Sequence, residues 1–177
     1  GGLKYLTNWG DKTVAVSDDI RRYLRESYGV AGQNITVTIN GIDTDKFSAD
    51  TDSRKIVREF GIDPDAPVIC HVSRLDDETV MMAEKLISSM IRIDGEIPGV
   101  QLVIAGGGTM EAYLKKRASE INDELNRRAI IMTGPRTDIN EIVASCDLFV
   151  GVSRTALEAM SCEKPVILAG NAGYMGL

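Results

Sequence analysis

Histidine is nearly absent: one in 177 residues, at position 71. A His-based metal cluster or a Ser-His-Asp triad needs that residue in the right company, and no Cys/His cluster surrounds it. Inside an apolar strand run, a packed or rim-facing structural role is favoured for His71 over a catalytic one. Cysteine is scarce too. Cys70, Cys146 and Cys162 are far apart and odd in number, which argues against a disulfide framework or a zinc site. Each lies in an apolar segment, where a free thiol acts as a small hydrophobe, and we expect a reducing, cytoplasmic compartment. Aromatics amount to only 5%, so a core drawn from the 44% hydrophobic residues is aliphatic. Basic charge is also in deficit. The net charge of -6 and pI of about 4.9 disfavour a nucleic-acid partner, since a phosphate backbone is normally met by a basic face. No apolar run is long enough to span a bilayer, and no signal peptide is expected.

What is present is a rhythm. Apolar runs at 13–17, 34–40, 66–73, 100–106, 129–134, 147–152 and 164–170 are near-continuous rather than alternating. Strands covered on both faces read this way, so the runs predict a parallel sheet. Helical stretches separate them: 17–29, opened by Ser17 and closed by Gly29; 76–93; 109–128; 137–146, with Thr137 or Asp138 as cap; and 153–163. The alternation predicts an α/β, Rossmann-like layered fold. Asp76, Asp77 and Glu78 fall at a helix start, where they complement the helix dipole. The segment Asn40–Ser53 is polar and turn-rich. We therefore place residues 1–45 at the end of a preceding domain with its linker, and 46–177 in a second domain. The Gly1-Gly2 start and the stop at Leu177 lead us to expect a piece of a longer protein.

In such folds ligands collect beyond the carboxyl ends of the strands. Those ends carry Ser73-Arg74, Gly106-Gly107-Gly108-Thr109, Pro135-Arg136, Gly151-Val152-Ser153-Arg154 and Asn171-Ala172-Gly173. Glycine, hydroxyls and three arginines at one rim of an acidic chain are the parts of a phosphate site. Gly106–Gly108 lacks the dinucleotide-binding spacing. Arg154 and Glu158 allow two readings: an i,i+4 surface pair in the less favourable order, or ligand contacts.

Several segments together resemble the group 1, family 4-like retaining glycosyltransferases. The carriers are "NGIDTDKF" at 40–47, "HVSRLDDE" at 71–78, "QLVIAGGGTMEAYL" at 101–114, "TGPRTDINEIVASCDLFV" at 133–150 and, most specifically, "LEAMSCEKPVILAGNAGYMG" at 157–176. The resemblance covers nearly the whole chain. It implies the two-Rossmann-domain GT-B fold, with this chain holding the end of the first domain and most of the nucleotide-sugar-binding second one. It further implies that Glu158 bonds the donor ribose hydroxyls and Arg74 meets the diphosphate, so both are the catalytic candidates. Backbone N–H groups of Gly151, Val152 and Ser153 would face phosphate; Ser73, Gly107 and Arg154 join the donor-binding set, and the strand-end rule adds Pro135 and Arg136 as base contacts.

The family's first glutamate would fall at Val150 and its lysine at Thr79, so two charged partners are missing, and Arg154 is expected to restore one positive charge. The Gly-x-Ser-Arg loop also resembles that of the peptidoglycan N-acetylglucosaminyl transferase and of nucleotide-sugar 2-epimerases. The implied function is sugar transfer from a nucleotide-diphospho-sugar such as a UDP-sugar, in cell-surface polysaccharide biosynthesis. An epimerase and a non-catalytic binding domain of the same fold are the alternatives. No metal or cofactor is implied. The implied acceptor, a sugar or a lipid-linked acceptor, binds the first domain, and peripheral membrane contact of the full protein is expected. By itself this piece is expected to bind nucleotide weakly and to transfer no sugar.

Overall fold

A computed structural model describes residues 10–39, 41–170 and 173–176, the last segment through residue 175 by backbone only. Asn40, Asn171, Ala172 and both extreme ends of the chain lie outside the described residues.

Two compact units are present, Gly1–Gly41 and Ile42–Leu177. In the first, strands β1 (Thr13–Ala15) and β2 (Ile35–Val37) pair in parallel around helix α1 (Asp18–Tyr28). Ser17 caps α1 by accepting from the Ile20 amide at 3.2 Å, and Gly29 ends it in the left-handed conformation, φ 69°. Ala15, Leu24 and Ile35 form its small core.

The second unit is a helix–sheet–helix sandwich. Its elements are α2 (Arg54–Phe60), β3 (Val68–Val72), α3 (Met81–Glu96), β4 (Gln101–Ala105), α4 (Glu111–Glu124), β5 (Ile130–Gly134), α5 (Ile139–Ala144), β6 (Leu148–Gly151), α6 (Ser153–Ser161), β7 (Val166–Gly170) and β8 (Gly173–Gly176). The sheet order is β5-β4-β3-β6-β7-β8, parallel except for the antiparallel β8. Each parallel strand splits its apolar side chains between two cores by simple alternation. Ile69, Leu102, Ile104, Ile130 and Val150 pack under α3 and α4, with Ile87, Met90 and Leu114. Val68, Cys70, Val103, Ile131 and Phe149 pack on the opposite face, with Ile56, Ile142 and Ala156 of α2, α5 and α6. All three cysteines are free and buried in this second core. The α/β Rossmann-like architecture read from the sequence is the architecture observed.

Ile42 and Phe47 belong to the second unit's core, and Ser161 donates its hydroxyl to the Phe47 carbonyl at 2.5 Å. The polar segment around them is therefore anchored at two apolar points. Helix α2 and strand β8 carry no periodic signal. α2 buries one residue, Ile56, in a single polar stretch, and β8 exists only through its pairing with β7.

One reading is corrected. Residues 76–80 are turn, and α3 starts at Met81, so the acidic run is not a helix first turn. Asp76 accepts from the Thr109 amide at 3.1 Å and Asp77 from the Thr109 hydroxyl at 3.1 Å. The run clasps the loop after β3 to the loop after β4. A turn competes successfully with the helix here because its carboxylates find those partners.

Candidate functional site

The strand order reverses direction between β3 and β6. From β3 the chain steps outward through β4 and β5, and from β6 it steps the other way through β7. Loops leaving β3 and β6 therefore diverge and leave a crevice beyond their carboxyl ends. Two cavities, of about 410 and about 530 Å³, open there on either side of the β3 end and share Ser73, Arg74 and Thr155 as walls. Of the candidate residues, Ser73, Arg74, Gly151, Val152, Ser153 and Arg154 line the first cavity and Gly107, Pro135 and Arg136 the second, whereas Glu158 lines neither. A third cavity, of about 510 Å³, lies at the opposite strand ends, beside Val68, Asp147 and Lys164.

Helix α6 begins at this crevice. Val152 is extended at the N-cap, φ -141° and ψ 172°, with no side chain capping the first turn. The leading N–H groups thus lack intrahelical partners and point where an anion would sit. Ser153 holds φ at 59°, the left-handed region that costs a non-glycine residue about 1 kcal/mol or more. Such strain persists where surrounding structure enforces it. Here Gly151 is buried against Phe149, whose ring an added Cβ would meet at 2.7 Å, and Thr155 donates its hydroxyl to the Val152 carbonyl at 3.0 Å.

Arg154 and Glu158 do pair, Nε to Oε1 at 2.9 Å. Their exposures differ sharply: 61% for the arginine side chain and 9% for the glutamate. With the arginine so wet, the pair contributes a few tenths of a kcal/mol at most. Glu158 is one of the few buried polar residues of the unit, yet it keeps its second oxygen free of any hydrogen bond within the described residues. Arg74 stands 77% exposed over the crevice, with only a long ion pair to Asp76 at 3.9 Å. Its charge is available to a ligand.

Arg136 is placed differently. Its guanidinium donates to both Glu59 oxygens, at 2.6 and 3.0 Å, and to both Asp138 oxygens, at 2.8 and 2.7 Å, and lies over the Phe60 ring. This fork raises its own affinity for protons and, with Lys55, drives the Asp138 carboxyl well below the usual range. Arg136 walls the second cavity, but four of its five N–H donors are engaged within the fold. Asp138 sits at the N-cap position of α5 without capping it, because its carboxylate is turned to Arg136.

The glycine run after β4 has a steric explanation. A Cβ at Gly106 would lie 1.8 Å from the Ser73 carbonyl oxygen, and one at Gly108 would lie 2.5 Å from the Leu75 carbonyl. Backbone groups expected to be free at this rim are in part consumed: Ser73 N–H donates to Ala105, Leu75 N–H to Gly107 and Gly106 N–H to Gly134. The run brings two loops into contact. Gly107 is the one whose added Cβ would meet only side-chain atoms, of Glu111 and Pro135, at 3.2 Å.

Two positions where charge was missed have structural duties. Thr79 donates its hydroxyl to the Arg74 carbonyl at 2.7 Å. Val150 points into the core under α3, and its carbonyl receives His71 Nδ1 at 2.7 Å. His71 is 3% exposed and also meets Ser73 Oγ through Nε2 at 2.9 Å. It ties β3 to β6 at the point where the crevice opens, a role no local pattern in the sequence announces. Thr155, which walls both cavities, was missed for the same reason.

Burial pushes the His71 imidazole below its ordinary value, against the opposing pull of the Val150 carbonyl. The folded chain thus refuses a proton that the unfolded chain accepts below about pH 6.5. Stability is expected to be full above that value and to fall as pH drops through it towards the folded-state value. Because His71 is the sole histidine, the urea midpoint of a His71→Gln variant should be flat over roughly pH 5.5–7, where the wild type slopes.

Among the described residues, no helix is long and apolar enough to cross a membrane.

Comparison with known proteins places this geometry. Residues 66–175 match the family described as glycosyl transferases group 1, and residues 2–46 match glycosyltransferase family 4. The GDP-mannose-dependent alpha-(1-6)-phosphatidylinositol monomannoside mannosyltransferase of Mycolicibacterium smegmatis is 30% identical over 97% of this chain and 47% of its own length. A Rickettsia africae glycosyltransferase structure superposes with a TM-score of 0.75 at 20% identity, over 99% of this chain and 49% of that one. Anabaena HepE in complex with UDP-glucose superposes with a TM-score of 0.68 at 24% identity, over 90% of this chain and 44% of that one. The chain spans about half the length of the proteins it matches.

Proposed function

Since the chain belongs to the group 1 glycosyl transferases, we propose that it is the donor-binding half of an enzyme that moves a sugar from a nucleotide-diphospho-sugar to an acceptor. The observation that carries this is the crevice at the β3/β6 reversal, where the uncapped start of α6 and the exposed Arg74 converge. Dipolar N–H groups and a fixed guanidinium charge stabilise the diphosphate most as it departs with its full negative charge. Arg74 is the catalytic group in this reading, and no metal or cofactor is assigned.

Glu158 receives the ribose hydroxyls on its free oxygen while Arg154 holds the other one. Gly151, Val152 and Ser153 shape the phosphate turn, and Gly107, Pro135 and the aliphatic wall beside Arg136 line the nucleoside side. Relatives that use GDP-mannose or hold UDP-glucose make UDP- and GDP-sugars the first donors to test. The acceptor, a sugar or a lipid-linked sugar, would be held by the other half of the enzyme. A cytoplasmic enzyme with peripheral membrane contact, building cell-surface polysaccharide, fits the same reading.

Thermal-shift screening with UDP, GDP, ADP and their sugars tests it. A response selective for one nucleoside diphosphate supports donor binding, and silence towards all of them opposes it. Arg154→Ala sharpens the assignment. If its charge replaces the one absent at Thr79, diphosphate affinity should fall about 10-fold while nucleoside affinity holds. Equal loss of both would reduce Arg154 to the holder of Glu158.

A further inference from the structure

The His71–Ser73 contact fixes the direction of a hydrogen bond at the mouth of the crevice. Val150 O can only accept, so His71 Nδ1 must carry a proton to meet it at 2.7 Å. The buried imidazole, 3% exposed, meets only the Val150 carbonyl and the Ser73 hydroxyl among the described residues, so no carboxylate stabilises a second ring proton and the second nitrogen is bare. Nε2 is then an acceptor, and the 2.9 Å contact with Ser73 Oγ has the serine hydroxyl as donor. Burial, which holds the imidazole neutral, points the same way. The only proton of Ser73 is thus spent inward. What the hydroxyl keeps for the crevice is two lone pairs, and its backbone N–H is likewise occupied by Ala105.

We propose that Ser73 is a specificity residue that accepts a hydrogen bond from a hydroxyl of the transferred sugar, and that His71 is the positioning residue that sets this polarity through the Val150 carbonyl. A diphosphate presents only acceptor oxygens at neutral pH, so it is repelled by lone pairs at this point. The sugar is a source of donors on the same ligand. The inference rests on the donor-binding reading given above and assigns Ser73 to the sugar rather than to the phosphate.

The chain labelled with 15N at His71 reports the premise directly: Nδ1 protonated and Nε2 bare at pH 7.5 is expected. The opposite tautomer, or a doubly protonated ring, overturns the inference. Binding then tests the consequence, with UDP, GDP, UDP-glucose and GDP-mannose as probes. Ser73→Ala takes the donor from the buried His71 Nε2 and should therefore lower the melting temperature, while affinity for the nucleoside diphosphate stays within about twofold. It should lose about 5–10-fold in affinity for the matching sugar nucleotide, the value of one hydrogen bond. Equal weakening of both ligands overturns the inference and leaves donor binding intact. A wild-type chain that binds none of the four probes overturns the donor-binding reading and the inference with it.

Discussion

Gly106→Ala should abolish nucleotide binding and lower stability steeply, by about 3 kcal/mol or more, whereas Gly107→Ala should cost the fold less than about 1 kcal/mol. At Gly106 the new methyl would stand 1.8 Å from the Ser73 carbonyl oxygen, a backbone atom that cannot swing aside, and φ is 148°. Relief requires moving either the end of β4 or the Ser73-Arg74 peptide. The first breaks the Ser73–Ala105 and Leu75–Gly107 hydrogen bonds, and the second displaces Arg74. At Gly107 the nearest atoms are ends of the Glu111 side chain and the Pro135 ring at 3.2 Å, which yield by a few tenths of an ångström. Urea denaturation and nucleotide titration of both variants check this. If both cost the fold little and both lose ligand, the run serves phosphate approach rather than loop contact.

Arg74→Ala should do the reverse: leave the fold within about 0.5 kcal/mol of wild type and weaken nucleoside diphosphate binding by roughly 10- to 100-fold. The arginine is 77% exposed and its only ion pair among the described residues spans 3.9 Å, so removing the side chain strips little from the folded state. Against a diphosphate beside an uncapped helix start, the same charge makes shorter, charge-assisted bonds. The nucleoside alone should bind as before. Calorimetric titration of the two ligands separates these outcomes, and an unchanged diphosphate affinity would remove Arg74 from the site.

Much of this was legible in the order of residues. Near-continuous apolar runs gave the parallel sheet, because strands buried on both faces have no polar side to show. The glycines and hydroxylated residues after those runs marked the rim where the crevice opens, since strand ends and helix starts require them. What could not be read was which atoms would already be occupied. Arg136 looks as free as Arg74 in the sequence. Only the fold brings Glu59, 77 positions away, onto its guanidinium. The acidic run at Asp76 reads as a helix start until Thr109, 33 positions on, is seen to donate its amide to that carboxylate. His71 and Val150 are 79 positions apart and meet because β6 lies beside β3. The uncharged residues at Val150 and Thr79 likewise look like losses in a family pattern. In the fold they hold His71 and the Arg74 backbone.

The central claim is that the diphosphate binds at the reversal between β3 and β6. Amide chemical-shift mapping of the chain titrated with UDP and with GDP tests it most directly. Perturbations concentrated at Ser153, Arg154, Thr155 and Arg74 are expected. Perturbations concentrated at the opposite strand ends, around Val68, Asp147 and Lys164, would contradict it.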